Sequence, residues 1–159
     1  LQRMRTALNV LLVLVTVQII YGAFVAGTKA GWVYNTWPKM GDEWVAESVG
    51  YAWQTDGASS IINNLASVQF IHRMLAYVVA GFILLISYFA GKNTLLNQEQ
   101  RKAIGMLVTI VVLQVALGIF TLLSSVPLWL GVTHQAVAFL LFAGVIYAGH
   151  RVRWGVTHN

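Results

Sequence analysis

The chain has 159 residues, 58% of them hydrophobic and 9% charged, with a formal net charge of +5. Soluble domains carry about 25% charged residues, so this composition excludes an ordinary water-soluble fold and calls for a lipid solvent. The absence of cysteine excludes disulfides, thiolate ligands and covalent c-type heme attachment.

In chain order, the first element is an apolar run over residues 6–27, longer than the roughly 20 residues a bilayer helix needs. It is too long for a signal peptide and lacks a well-placed small-residue cleavage site, so it reads as a span. Position 1 is Leu rather than Met, so the chain is expected to be a processed product or a piece of something longer. Residues 28–64 form a long polar loop whose Gly, Pro, Asn and Asp content predicts turns, with a short interfacial helix over 43–53. The second span, 65–91, carries His72 and Arg73, and a short basic loop leads to the third, 103–123. A tight uncharged turn follows, and Pro127 opens the fourth span, 128–149, where its missing N–H costs nothing. His150 and His158 fall among Arg151 and Arg153 and are expected to be solvated.

The basic residues Arg3, Arg5, Lys92, Arg101, Lys102, Arg151 and Arg153 lie at the two termini and the 92–102 loop. That is the positive-inside pattern, with both termini on the cytoplasmic or matrix side, and it accounts for the charge without a nucleic-acid partner. Asp42, Glu43, Glu47 and Asp56 sit in the long outer loop, and Trp32, Trp37, Trp44, Trp53 and Trp129 line that side as an aromatic belt would. The expected fold is an all-α integral membrane bundle of four transmembrane helices, forming one domain over residues 1–159.

An internal repeat is visible. Gln18-x3-Gly22-x-Phe24 in the first span matches Gln114-x3-Gly118-x-Phe120 in the third, and His72-x3-Ala76 in the second matches His134-x3-Ala138 in the fourth. Two helical hairpins related by a pseudo-twofold axis along the membrane normal would bring His72 and His134 face to face. Both lie about six or seven residues into their spans, or roughly 10 Å below the outer surface. Two imidazoles at matched depth on diagonal helices suit one metal ligated from opposite sides. A heme fits better than a bare ion, because zinc or copper would want further ligands and the spans offer no Cys, Asp or Glu at that level. Gly22, Ala26, Gly27, Ala76, Gly118 and Gly131 would make room for the macrocycle. For Gly118 the plainer expectation is close helix packing.

Arg73 lies about 100° round the helix from His72 and would either snorkel to the outer interface or pair with a heme propionate. Gln18, Gln69, Gln114 and Gln135 are expected to bond between helices. Gln69 and Gln135, nearest the histidines in sequence, are the candidates for supporting them. Lys29, Lys39, Trp37 and the outer loop would either cover the heme edge or form a solvated interfacial loop.

The stretch GAFVAGTKAGWVYNTWPKM at residues 22–40 closely resembles the C-terminal half of heme A synthases, as do VQFIHR at 68–73 and the 123–135 stretch with Pro127 and Thr133-His134-Gln135. The resemblance runs over nearly the whole chain. It implies one half of an eight-helix protein whose N-terminal half oxidises a methyl group of heme O to the formyl group of heme A. The C-terminal half holds heme b between two histidines, at the positions of His72 and His134, with Arg73 beside them. The catalytic half of the family usually has Glu three residues before its helix-2 histidine; here Gln69 stands there and cannot ionise. The chain is therefore expected to be the cofactor half, and no residue in it is assigned to catalysis. The resemblance further implies heme O as substrate through a catalytic half or second subunit. It also implies a heme O synthase and an electron acceptor as partners, and a bacterial cell membrane ahead of a mitochondrial inner one. Two alternatives remain open: a membrane b-type cytochrome that only carries electrons, and a transporter or assembly subunit whose histidines carry protons.

Overall fold

A computed structural model describes residues 1–155. The expectation of a solvated His158 lies outside the described residues. Four long helices make the bundle: α1 (Gln2–Gly27), α4 (Leu65–Lys92), α5 (Gln98–Leu123) and α6 (Leu128–Trp154). Each is long and apolar enough to cross a bilayer, so the chain is a multi-pass membrane protein. Two short helices, α2 (Glu47–Asp56) and α3 (Ser60–Asn63), lie in the loop between α1 and α4. Around the bundle the neighbours run α1, α4, α5, α6, so α4 and α6 occupy one diagonal.

The helix ends follow local chemistry. Asn64 opens α4 by accepting a hydrogen bond from the Ser67 amide at 3.0 Å. Asn97 and Gln100 form a reciprocal capping box, which starts α5 well before its apolar run. In the outer loop, helix α2 begins at Glu47 and not at 43, because the Glu43 carboxylate accepts the Glu47 amide at 2.9 Å and so caps it. The turn between α5 and α6 is tight: Ser125 and Val126 take φ values of 58° and 57°, and the Val126 amide donates back to Thr121 O at 2.8 Å. The Val126 side chain packs onto Gly31, where a Cβ would meet it at 3.1 Å.

Packing is uneven along the bundle axis. The buried apolar cluster is built from Met4, Leu8, Leu11 and Val15 of α1, Val79 to Ala90 of α4, Ala103 to Val111 of α5 and Leu141 to Val152 of α6. All of these lie toward the end that carries the termini. Gly144 lets α5 approach α6 there, since a Cβ would meet Leu107 at 3.0 Å. Toward the outer end, residues 16–27 of α1, 112–120 of α5 and 131–140 of α6 contain no fully buried side chain, whereas α4 stays buried there at Ala66, Ser67, Val68, Gln69 and Arg73.

Candidate functional site

The loosely packed outer half is where the two histidines sit. His72 on α4 and His134 on α6 are both half-buried. Each ring lies against a glycine of a neighbouring helix. A Cβ on Gly22 of α1 would come within 3.3 Å of His72 Cε1, and one on Gly118 of α5 within 2.9 Å of His134 Cε1. Gly118 therefore gives room to an imidazole rather than to a helix backbone. Gly27 and Gly131 face nothing that a Cβ would touch.

One turn before each glycine, a glutamine meets the same ring. Gln18 Nε2 lies 3.2 Å from His72 Nδ1 and donates to the His72 carbonyl at 3.1 Å. Gln114 Nε2 lies 3.3 Å from His134 Nε2. Gln18 Oε1, Gln114 Oε1 and His134 Nδ1 are buried without a hydrogen-bond partner. Sequence neighbourhood pointed instead to Gln69 and Gln135. Gln69 turns away from the rings and donates to the carbonyls of Gly31 at 3.4 Å and Tyr34 at 3.1 Å. Gln135 is half-buried beside His134. The repeated Gln-x3-Gly spacing was the available signal for Gln18 and Gln114; sequence alone did not say which helix face would meet the histidines.

Arg73, 9% exposed, reaches up to the outer loop. Its Nη1 donates to Thr36 O at 3.0 Å and Lys39 O at 3.2 Å, and its Nη2 to Tyr34 O at 2.9 Å. Its Nε is buried and unpartnered. Asn35 adds bonds to Gly31 O and Leu122 O, both at 3.0 Å, tying the loop to the end of α5. Trp37 Nε1 donates to Tyr77 Oη at 3.1 Å, one turn below Arg73 on α4. The segment 31–39 is thus fastened across the outer end of the bundle. Lys29 and Lys39 are exposed, and His150 is exposed at the opposite end. Among the described residues no three His, Cys, Asp or Glu side chains gather as a set for a bare metal ion.

The sequence compares closely with known proteins. The family model for cytochrome oxidase assembly protein, COX15-CtaA, matches residues 1–146. Heme A synthase of Flavobacterium psychrophilum is 43% identical over 155 residues, covering 93% of this chain and 43% of the relative. Heme A synthase of Flavobacterium johnsoniae is 44% identical over 137 residues, covering 86% and 40%. That of Rhizorhabdus wittichii is 43% identical over 147 residues, covering 91% and 40%. The chain spans about two-fifths of the length of these curated relatives. No solved structure matches it. With four membrane-spanning helices and a family model that covers nearly its full length, the chain belongs to the heme A synthase family of cytochrome oxidase assembly proteins.

Proposed function

We propose that this chain is the heme b-binding half of a heme A synthase, the whole protein converting heme O to heme A by oxidising a ring methyl to a formyl group. The observation that carries the reading is the pair of imidazoles on the diagonal helices α4 and α6. Each is cradled by a glycine and touched by a glutamine, at Nδ1 of His72 and at Nε2 of His134. The donor chemistry fits a heme: two neutral nitrogen ligands in an apolar bundle, with no carboxylate or thiolate competing for the metal. Bound between them, the group would supply one-electron transfer. The pseudo-twofold repeat belongs to this reading and is supported by the parallel contacts of Gln18 and Gly22 with His72, and of Gln114 and Gly118 with His134.

His72 and His134 would hold the iron. Arg73 would hold a propionate through its unpartnered Nε–H, while its two terminal nitrogens keep the outer loop closed over the site and limit water. Gln69 supports assignment to the cofactor half. It is a neutral amide engaged with loop carbonyls, in the place where the family's catalytic half usually has an ionisable glutamate. Catalysis is assigned to the other half or a second subunit, with heme O, a heme O synthase and an electron acceptor as partners. The termini face the cytoplasm of a bacterial cell, on the distribution of Arg and Lys.

The test is a reduced-minus-oxidised absorption spectrum of the full-length protein, compared with His72→Ala and His134→Ala. A low-spin b-type signal lost from this half in either variant is the expected result. A well-folded protein whose heme content and spectrum are indifferent to both substitutions would refute the assignment.

A further inference from the structure

Away from the histidines, two arginines share the seam where α1 begins and α6 ends. Arg5 Nη2 donates to the Arg153 carbonyl at 3.4 Å, and Arg153 Nη2 donates to Asn9 Oδ1, one turn along α1 from Arg5, at 3.3 Å. Among the described residues neither has a carboxylate partner. The one ion pair there joins Lys102 to Glu99, and the other four acids lie in the outer loop. Arg5 Nε is also buried and unpartnered. Guanidinium groups gathered without a counter-charge suit a phosphate, which takes their N–H groups in pairs. Depth says which phosphate. Arg5 stands one residue before the apolar run of α1, and Trp154 beside Arg153 is 69% exposed, as an anchor at the lipid headgroups would be. Further along the same seam, a crevice of about 160 Å³ opens between α1 and α6, lined by Thr16, Ile19, Ile20, Phe139 and Phe142. The Thr16 hydroxyl is already satisfied by the Leu12 carbonyl at 2.8 Å, so the crevice asks for an apolar guest. Thr16 lies eleven residues beyond Arg5, roughly 16 Å along the helix. That is about half of the ~30 Å hydrocarbon core, the depth at which the acyl chains of one leaflet end.

We infer that the α1–α6 seam binds one anionic phospholipid, its phosphate held by Arg5 and Arg153 and one acyl chain laid along the seam into the crevice. The two cations select a negative headgroup, and the crevice selects a chain long enough to reach it. Filled, the seam joins α1 to α6 through the lipid, so binding stabilises the bundle. Neither His72 nor His134 takes part, and the site stands independently of the heme reading.

The experiment titrates the full-length, delipidated protein in detergent with dioleoyl phosphatidylglycerol. It reads the unfolding temperature and, by native mass spectrometry, the lipid retained. Wild type is expected to retain one lipid and unfold at a higher temperature, while phosphatidylcholine with the same chains and inorganic phosphate do neither. Arg5→Gln with Arg153→Gln weakens binding roughly 25-fold, about fivefold for each Arg near the headgroups. Lys92→Gln, an equal loss of charge on α4, leaves it near wild type. Thr16→Phe fills the crevice, so it weakens binding of the dioleoyl lipid and leaves that of dihexanoyl phosphatidylglycerol, whose chains are too short to reach, unchanged. Equal stabilisation by phosphatidylcholine, or by phosphatidylglycerol in wild type and in both seam variants, would overturn the inference. So would a wild-type protein indifferent to phosphatidylglycerol, the result expected if the rest of a longer chain covers the seam.

Discussion

The contact between Gly118 and His134 gives the sharpest mechanical test of the site. Adding one methyl at Gly118 places a carbon 2.9 Å from His134 Cε1, with Nδ1 at 3.5 Å and Nε2 at 3.6 Å. Non-bonded carbons settle at about 3.5–4.0 Å, so the ring must retreat by roughly 0.6 Å or the helices must part. Overpacking of this kind costs about 1–3 kcal/mol, against a gain of about 1 kcal/mol for replacing an interior helical glycine by alanine. Gly118→Ala is therefore expected to lose up to about 2 kcal/mol net. The same change at Gly22 meets His72 Cε1 at 3.3 Å and should be near neutral. Gly105, on the same helix as Gly118 but with nothing within 4 Å, should tolerate alanine or gain from it. Thermal unfolding in detergent, followed by the fluorescence of the six tryptophans, ranks the three variants. The heme spectrum should report a perturbed ligand field in Gly118→Ala only. Equal stability and an unchanged spectrum across the series would refute the cradle at Gly118.

Two further outcomes follow from the outer end. Arg73→Ala removes three charge-assisted bonds to Tyr34, Thr36 and Lys39, each worth about 1.5–3 kcal/mol when made to a charged donor, and should free segment 34–40. Limited proteolysis or hydrogen exchange across that segment measures it, and unchanged protection would show that the loop is held by other contacts. Ser125→Gly removes the penalty of a left-handed residue at φ 58° on an exposed turn and should stabilise the protein by up to about 1 kcal/mol, read as a raised unfolding temperature.

The four spans are legible because each apolar run exceeds what a bilayer requires, a property that composition alone carries. The polar helix ends are not visible to hydropathy. Helix α5 starts at Gln98 because Asn97 and Gln100 cap it, and α6 runs on through Arg151 and Arg153 to Trp154 because these side chains suit a helix although they are charged. The histidines stood out as ionisable groups in apolar runs. Their glutamine partners were marked by the repeat as bonding between helices, but not the ring each would meet, since Gln18 lies on a different helix from His72 and only the tertiary arrangement joins them. Arg73 was ambiguous for a related reason: its partners are backbone carbonyls, which every residue has and no sequence pattern marks.

The uneven packing explains how one short bundle can be both stable and accommodating. In lipid, apolar side chains gain little by leaving the solvent, so helix association depends on close van der Waals fit and on polar bonds between helices. This chain separates the two. The half bearing the termini interlocks Leu8, Leu11, Ile83, Ile104, Leu107 and Val145, with Gly144 setting the close approach of α5 and α6. The outer half keeps that fit only along α4, at Ala66 and Val68, and is otherwise joined by directed contacts: Gln18 to His72, Gln114 to His134, Arg73 and Gln69 to the carbonyls of the loop, and Asn35 to the end of α5. Directed contacts can be exchanged for others at modest cost, whereas an interlocked core resists any change of spacing. On the proposed heme reading, a rigid, bulky ligand between α4 and α6 is therefore best placed above the interlocked half, where His72 and His134 are found.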